Sequence, residues 1–227
     1  MANNSTCINE AFARKIAINQ TNSAIASHLE SAGHAEPVAI DATWTLMAGV
    51  LVFIMQLGFG LLEAGSIQSI NSQSILFKNL LDVSIVTIGW WAFGYSLASS
   101  TGNEFSGDGT FAFSKPQEEW VLLFFNWTFA ATSATIVSGA VAGRMRLKSY
   151  LMTSTVIGWI TFPIFAHWVW ATNGWLYKRG FIDFAGSGVV HLNGGASALV
   201  ASMIVGPRNS RFEYNETERR WVDRKPR

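Results

Sequence analysis

Charge is what this sequence has least of. Asp, Glu, Lys and Arg make up 14% of its 227 residues, against about a quarter in a soluble domain. The shortage is gathered into long uncharged blocks, which argues against an ordinary soluble domain and predicts a multi-span membrane protein. A formal net charge of +1 supplies no basic field of the kind that draws nucleic acid. Cysteine is nearly missing too. A single thiol, Cys7, excludes an internal disulfide and leaves no cysteine-based metal spacing. No early apolar run precedes the first long hydrophobic block, so no cleavable signal peptide is expected and the first span acts as its own insertion signal. No GxGxxG, Walker A, HExxH, CxxC or nucleophile-elbow motif stands in a usable context. Ser187 and His191 are four apart, but nothing nearby supplies an oxyanion hole. The expectation is therefore no enzyme, no metal and no cofactor.

What is present is hydrophobic: 49% of residues are apolar and the mean hydropathy is +0.24. The most informative stretch is Asp183-Phe184-Ala185-Gly186-Ser187-Gly188-Val189-Val190-His191, read with the apolar run behind it. From Phe184 to Gly206 there are 23 residues without a formal charge, enough to cross a hydrocarbon core about 30 Å thick. A histidine inside a membrane helix is costly unless it faces protein or a pore. On a continuous helix His191 would lie about 12 Å deeper than Asp183. The run therefore reads as a carboxylate at a helix mouth with an imidazole buried below it.

The spacing of uncharged blocks predicts an all-α polytopic membrane protein with about five spans. Residues 1–41 form a polar N-terminal segment with sequons at Asn3, Asn4 and Asn19 and an amphipathic stretch around Ile8–Ile18. The membrane domain covers 42–206, with spans near 44–64, 75–98, 120–143, 149–170 and 184–206. A basic tail occupies 207–227. Gln56 and Glu63 interrupt the first span and place it inside a bundle. Lys78 and Asp82 have the i,i+4 spacing of an ion pair. Trp90, Trp91 and Tyr95 read as an interfacial belt, and Ser138–Gly143 as a small-residue packing face. Pro163 predicts a kink in the fourth span. Arg144, Arg146 and Lys148 make a basic loop, the tail is also basic, and the loop after span two is acidic. Lysine and arginine bias puts the Arg144 loop and the tail in the cytoplasm. Five spans then leave the N-terminus, with its sequons, outside.

Several stretches resemble the ammonium transporter family, which includes the methylammonium permeases and Rh proteins, and the likeness is to its Amt branch. They are Met55–Gly65; Lys78-Asn79-Leu80-Leu81-Asp82; Phe129–Thr132 with Ile136–Ala142; His167-Trp168-Val169-Trp170; and Asp183 through His191. They occur in family order and spacing. The resemblance implies an eleven-helix subunit assembled as a trimer, one pore per subunit, with two inverted five-helix repeats. This chain matches the first repeat only and is expected to be a truncated or partial chain. By the same resemblance Phe129 closes the outer vestibule, with Phe125 one turn earlier. Trp170 recruits ammonium by cation–π attraction. Asp183 holds local backbone near the recruitment site and favours the cation, and His191 is the first of two pore histidines. The second pore histidine, the second gating phenylalanine and a recruitment-site serine belong to the half that is missing.

Each residue also has a plainer reading. His191 could be a satisfied interhelical histidine, Asp183 a helix cap, Trp170 a belt aromatic and Phe125 core packing. His167 reads as structural beside the site. Glu63, Lys78 and Asp82 read as structural pairings. Two functions follow. One is transmembrane transport of ammonium or ammonia, with methylammonium as a mimic, by a multi-pass protein of the plasma membrane. The other is a non-conducting partial subunit that assembles with full-length relatives. The partners expected are the lipid bilayer and either a homotrimer or those relatives.

Overall fold

The computed structural model describes residues 39–99, 101–109, 112, 120–208, 211–215 and 220–223. The sequons at Asn3, Asn4 and Asn19, the stretch Ile8–Ile18 and Cys7 lie outside the described residues. The chain divides into two compact units, Met1–Thr45 and Leu46–Arg227. Of the first, residues 39–45 are described and helical, with Thr43 and Thr45 donating to the carbonyls of Ala39 and Asp41 at 2.8 Å.

Among the described residues five helices are long and apolar enough to cross a membrane: α1 (Ala39–Gly65), α2 (Ser69–Ala98), α3 (Trp120–Val141), α4 (Leu147–Lys178) and α5 (Ser187–Val205). This is the all-helical membrane part the uncharged blocks predict. The bounds shift by a few residues. α2 starts earlier because a single tight turn, Ser69–Asn71, leads into it, and α5 starts three residues later than the apolar run. The tail adds what hydropathy did not foresee, an antiparallel pairing of β1 (Phe212–Asn215) with β2 (Arg220–Asp223), in register Phe212↔Asp223 to Asn215↔Arg220.

α3 is the central helix. Its inner positions are small or β-branched, and Ala130, Ala131, Ala134, Val137 and Ser138 are fully buried. Small side chains let helices approach closely where lipid supplies no hydrophobic drive. α5 uses this at Gly194, where an added Cβ would stand 2.9 Å from the Ser133 carbonyl oxygen. In the expected Ser138–Gly143 packing stretch, Ser138, Val141 and Ala142 are buried, and Ser138 Oγ donates to Glu63 Oε2 at 2.7 Å. Gly139 is exposed, and Gly143, at φ +69, ends the helix in the left-handed turn that glycine favours. Arg144 then donates to the Ala140 carbonyl, to Gly206 O at 2.7 Å and to Ser202 Oγ at 3.3 Å. One guanidinium so satisfies terminal carbonyls of both α3 and α5.

Three helices carry a widened, π-type turn. In α4 it is Ile157–Thr161, just before Pro163, which has no N–H to donate to the carbonyl four residues back and whose ring crowds it. In α2 it is Trp90–Gly94. The two sites meet. A Cβ on Gly89 would lie 2.0 Å from Trp159 Cδ1, and one on Gly158 would lie 2.7 Å from Val86 Cγ2. Trp159 Nε1 donates to Ile85 O at 2.8 Å. Trp90 is 1% exposed and donates to Leu123 O, so it belongs to the core and not to the expected aromatic belt.

The i,i+4 pair is likewise corrected. Lys78 forms its ion pair with Glu63 on α1, at 3.3 Å, and not with Asp82. Lys78 also donates to Ser138 O at 3.2 Å and lies 4.5 Å from the centre of the Tyr150 ring. Asp82 Oδ2 takes the Thr135 hydroxyl, 2.9 Å away, and that hydroxyl is 2.8 Å from Gln56 Oε1. Lys78, Glu63 and Asp82 are all buried. With both carboxylates buried, burial does not choose between them: Glu63 takes the lysine and Asp82 the Thr135 hydroxyl.

Candidate functional site

The site residues named from the sequence lie on the N-terminal half of α3, the C-terminal half of α4, the connector into α5 and the first turn of α5. α4 breaks after Trp170, where Ala171 adopts an extended conformation (ψ 138). A short turn, Trp175–Lys178, then reverses the chain and carries it to Asp183. The indole N–H of Trp170 donates to the Asp183 carbonyl oxygen at 2.8 Å. The Trp170 ring lies 5.9 Å from Phe129, and Phe129 stands edge-on to Phe125 at 5.0 Å. Phe125, Phe129 and Trp170 are each half-buried. Trp170, Phe129, Phe125 and Asp183 therefore come together, in contact pair by pair. A cavity of about 410 Å³ opens beside Trp170, lined among others by Trp90, Tyr95, Ser99, Thr101 and Asn126.

Asp183 is 7% exposed, and its carboxylate is fully used. Oδ1 accepts from the amides of Gly186 and Ser187 at 2.8 and 2.9 Å and from Ser187 Oγ at 3.2 Å. Oδ2 accepts from the amides of Gly188 and Val189 at 2.9 and 2.8 Å. Four amides at the start of α5, which have no helical acceptor of their own, are satisfied by one side chain. Burial pushes the Asp183 carboxyl up. The amides of Val189, Gly188 and Gly186 and the Ser187 hydroxyl outweigh it and hold the group below the usual carboxylate range. Capping, one of the two sequence readings, is what the side chain does. It acts from three residues before Gly186, the helix-initiating residue at φ +92. A Cβ on Gly186 would meet Val190 Cγ2 at 2.7 Å.

His191 lies on the first, π-type turn of α5, Ser187–Leu192, with its amide donating five residues back to Gly186 O at 3.0 Å. Since α5 begins at Ser187 and not at Asp183, only about 6 Å of helix rise separates its start from His191. The His191 side chain is exposed in this chain, not buried. Val189 and Val190, 2% and 1% exposed, turn inward, and the helix geometry then leaves His191 and Leu192 on the open side. It does not join the Trp170–Phe129 cluster in direct contact.

His167 is placed where sequence put it, one turn before Trp170, but its role is more definite. It is 0% exposed. Nδ1 lies 2.6 Å from Ser99 O and Nε2 lies 2.8 Å from Asn103 O. The loop after α2 is tied down by further groups of α4, since Trp168 Nε1 donates to Phe105 O and Asn173 Nδ2 to Gly102 O. No sequence signal pointed to this loop as a partner of α4: His167, Trp168 and Asn173 all reach main-chain carbonyls. Among the described residues no cluster of His, Cys, Asp and Glu could hold a metal ion.

Long apolar helices, with widened turns and buried polar side chains between them, define a helical polytopic membrane protein. The chain belongs to the Ammonium Transporter Family, whose model matches residues 43–222. It is 40% identical over 175 residues to ammonium transporter 3 of Dictyostelium discoideum, covering 76% of this chain and 40% of that protein. It is 45% identical over 190 residues to a putative ammonium transporter of Synechocystis, covering 78% and 42%. Among solved structures it superposes on a sensor Amt protein with a TM-score of 0.74 and 36% identity, covering 79% of this chain and 47% of that one. On Mep2 of Candida albicans the TM-score is 0.67 with 31% identity, covering 74% and 39%. The chain thus spans about two fifths of the length of these curated relatives.

Proposed function

We propose that this chain forms one half of an ammonium or ammonia pathway across a membrane, without enzymatic chemistry. The observation that carries the reading is the cluster of Trp170, Phe129 and Asp183. An indole ring is fixed by its N–H to Asp183 O at 2.8 Å, leaving its π face to attract a small cation. Phe129 stands against that ring at 5.9 Å, in position to close the way inward. Asp183 acts through the backbone it holds, its oxygens being engaged by amides. His191 is a pore group, and its exposure here follows because the half that would face it is not within this chain. Exposed apolar side chains flank it on α5, including Leu192, Leu199 and Met203 at 69%, 63% and 74%.

In this reading the complete unit is two inverted repeats, and the subunits form a trimer in the plasma membrane. Residues 1–41 lie outside, 42–206 form the membrane domain, and 207–227 lie in the cytoplasm. Labelled methylammonium uptake tests it in cells lacking their own ammonium transporters. The chain is expressed alone, then with a full-length relative, and in each case against His191→Ala. Uptake requiring a partner and lost in His191→Ala is expected. Uptake by the chain alone would show that five helices suffice, and uptake unaffected by His191→Ala would remove that residue from the pathway. Membrane insertion without any effect on uptake, alone or co-expressed, would refute the transport role.

A further inference from the structure

Both ring nitrogens of His167 face main-chain carbonyl oxygens, Ser99 O at 2.6 Å and Asn103 O at 2.8 Å. A carbonyl oxygen can only accept, and a neutral imidazole carries a single N–H. With one proton the ring makes one bond and turns a lone pair on the other oxygen, in a position that is 0% exposed. Only the ring with both protons makes the two contacts together. Ser99 ends α2, and Ser99 and Thr101 line the 410 Å³ cavity beside Trp170, one turn from His167. We propose that His167 is a proton-operated clamp. With both protons it pins Ser99 and residues 101–109 against α4 and sets the outer wall of the cavity beside Trp170; on losing one it releases either Ser99 or Asn103. The clamp stands on this geometry alone, while its bearing on cation entry rests on the transport reading of Trp170.

The surroundings make the ring the movable element. The titratable and charged groups on the segments around it are Tyr95 at the end of α2, Glu104 and Asp108 in the loop, Tyr177, Lys178 and Arg179 beyond Trp170, and Asp183 on the connector. Glu104 is already paired with Lys178 at 2.9 Å, Arg179 lies over the Trp175 ring at 5.2 Å, and Asp183 is engaged by four amides. The loop's other ties, Trp168 to Phe105 O at 2.8 Å, Asn173 to Gly102 O at 3.0 Å and the Trp175 amide to Glu104 O at 3.1 Å, keep it attached when one contact is lost. The change is therefore a local loosening around Ser99 and Asn103.

The test uses the 227-residue chain in lipid bilayers, labelled with 15N at its four histidines, and reads two signals. Nitrogen spectra count the protons on His167, assigned by the signal missing from His167→Gln. Hydrogen exchange at the Asn103 and Gly107 amides, corrected for intrinsic rates, reads loop protection between pH 5.5 and 9 (roughly the histidine range extended on both sides). Two protons at low pH are expected. Protection should fall by about tenfold or more as one proton is lost, the scale of one charge-assisted hydrogen bond. His167→Gln should show no such pH step. A singly protonated ring while the loop is protected would overturn the proposal. So would protection that stays level as the ring loses its proton. If the variant fails to fold, the wild-type pair of readouts still decides. Neither signal involves transport, so a failed uptake assay leaves this result untouched.

Discussion

Replacing Asp183 by Asn keeps the size of the side chain and removes what the start of α5 depends on. The carboxylate accepts four amide hydrogens, two on each oxygen, at 2.8 to 2.9 Å. The amide side chain keeps one oxygen and turns an NH2 group toward two backbone N–H groups that then have no acceptor. Two charge-assisted bonds at about 1.5–3 kcal/mol each put the loss at about 3 kcal/mol or more. For a chain of this size that lowers the melting midpoint by about 6–12 °C. The wild type carries a matching acid signature. Because the folded-state carboxyl lies below its ordinary value, its contribution is fully present above the unfolded value of about 3.9 and is lost as pH falls through the folded one. Asp183→Asn should lack that acid-side loss and be destabilised by a similar amount at every pH above it. Thermal unfolding of both chains in the same bilayer or detergent, from pH 3 to pH 8 (a window around the carboxylate range), checks both statements. Equal midpoints at pH 7, or a loss of the same size and acid slope in the mutant, would refute the capping argument.

Other perturbations test neighbouring parts of the structure. Lys78→Met leaves Glu63 buried without its 3.3 Å partner and should cost about 3–5 kcal/mol. Adding Glu63→Gln should restore much of it, as a double-mutant cycle in thermal unfolding would show. Gly89→Ala sets a methyl group 2.0 Å from Trp159 Cδ1 and should destabilise the α2–α4 contact by about 1–3 kcal/mol, with altered Trp fluorescence as the readout. Trp170→Leu retains apolar bulk but removes the π face and the bond to Asp183 O. In a transport-competent assembly it should raise the methylammonium KM several-fold, about 1 kcal/mol of cation–π attraction, with a smaller change in maximal rate.

Much of the site was legible because its elements are contiguous in sequence. Trp170 and Asp183 are close neighbours along the chain, and the turn between them is short. The i,i+4 offset of Phe125 and Phe129 puts both on one helical face. The pairing of Lys78 was not legible, since a spacing rule cannot weigh Asp82 on the same helix against Glu63 on another. Nor was it legible that Ser138, Val141 and Ala142 of the small-residue stretch are buried while Gly139 is exposed. A small-residue motif marks a face that permits close approach, but only the neighbours decide whether anything approaches it. His167 marks the limit most plainly. Its partners are backbone oxygens, and backbone oxygens leave no trace in the pattern of side chains.

By itself the sequence determined the number and order of the spans, because withholding charge from blocks of about 20 residues is what a bilayer requires. It also determined the family, through motifs local in the chain, and the capping potential of Asp183, which is a matter of a few residues' spacing. Tertiary structure decided the rest. It chose Glu63 for Lys78, moved Trp90 from an interfacial belt into the core, and seated the carbonyls of Ser99 and Asn103 on His167. It also left His191 on the open side of α5. These outcomes depend on which helix faces turn toward one another, and on the cost of leaving a buried polar group without a partner. Neither is set by any single stretch of chain.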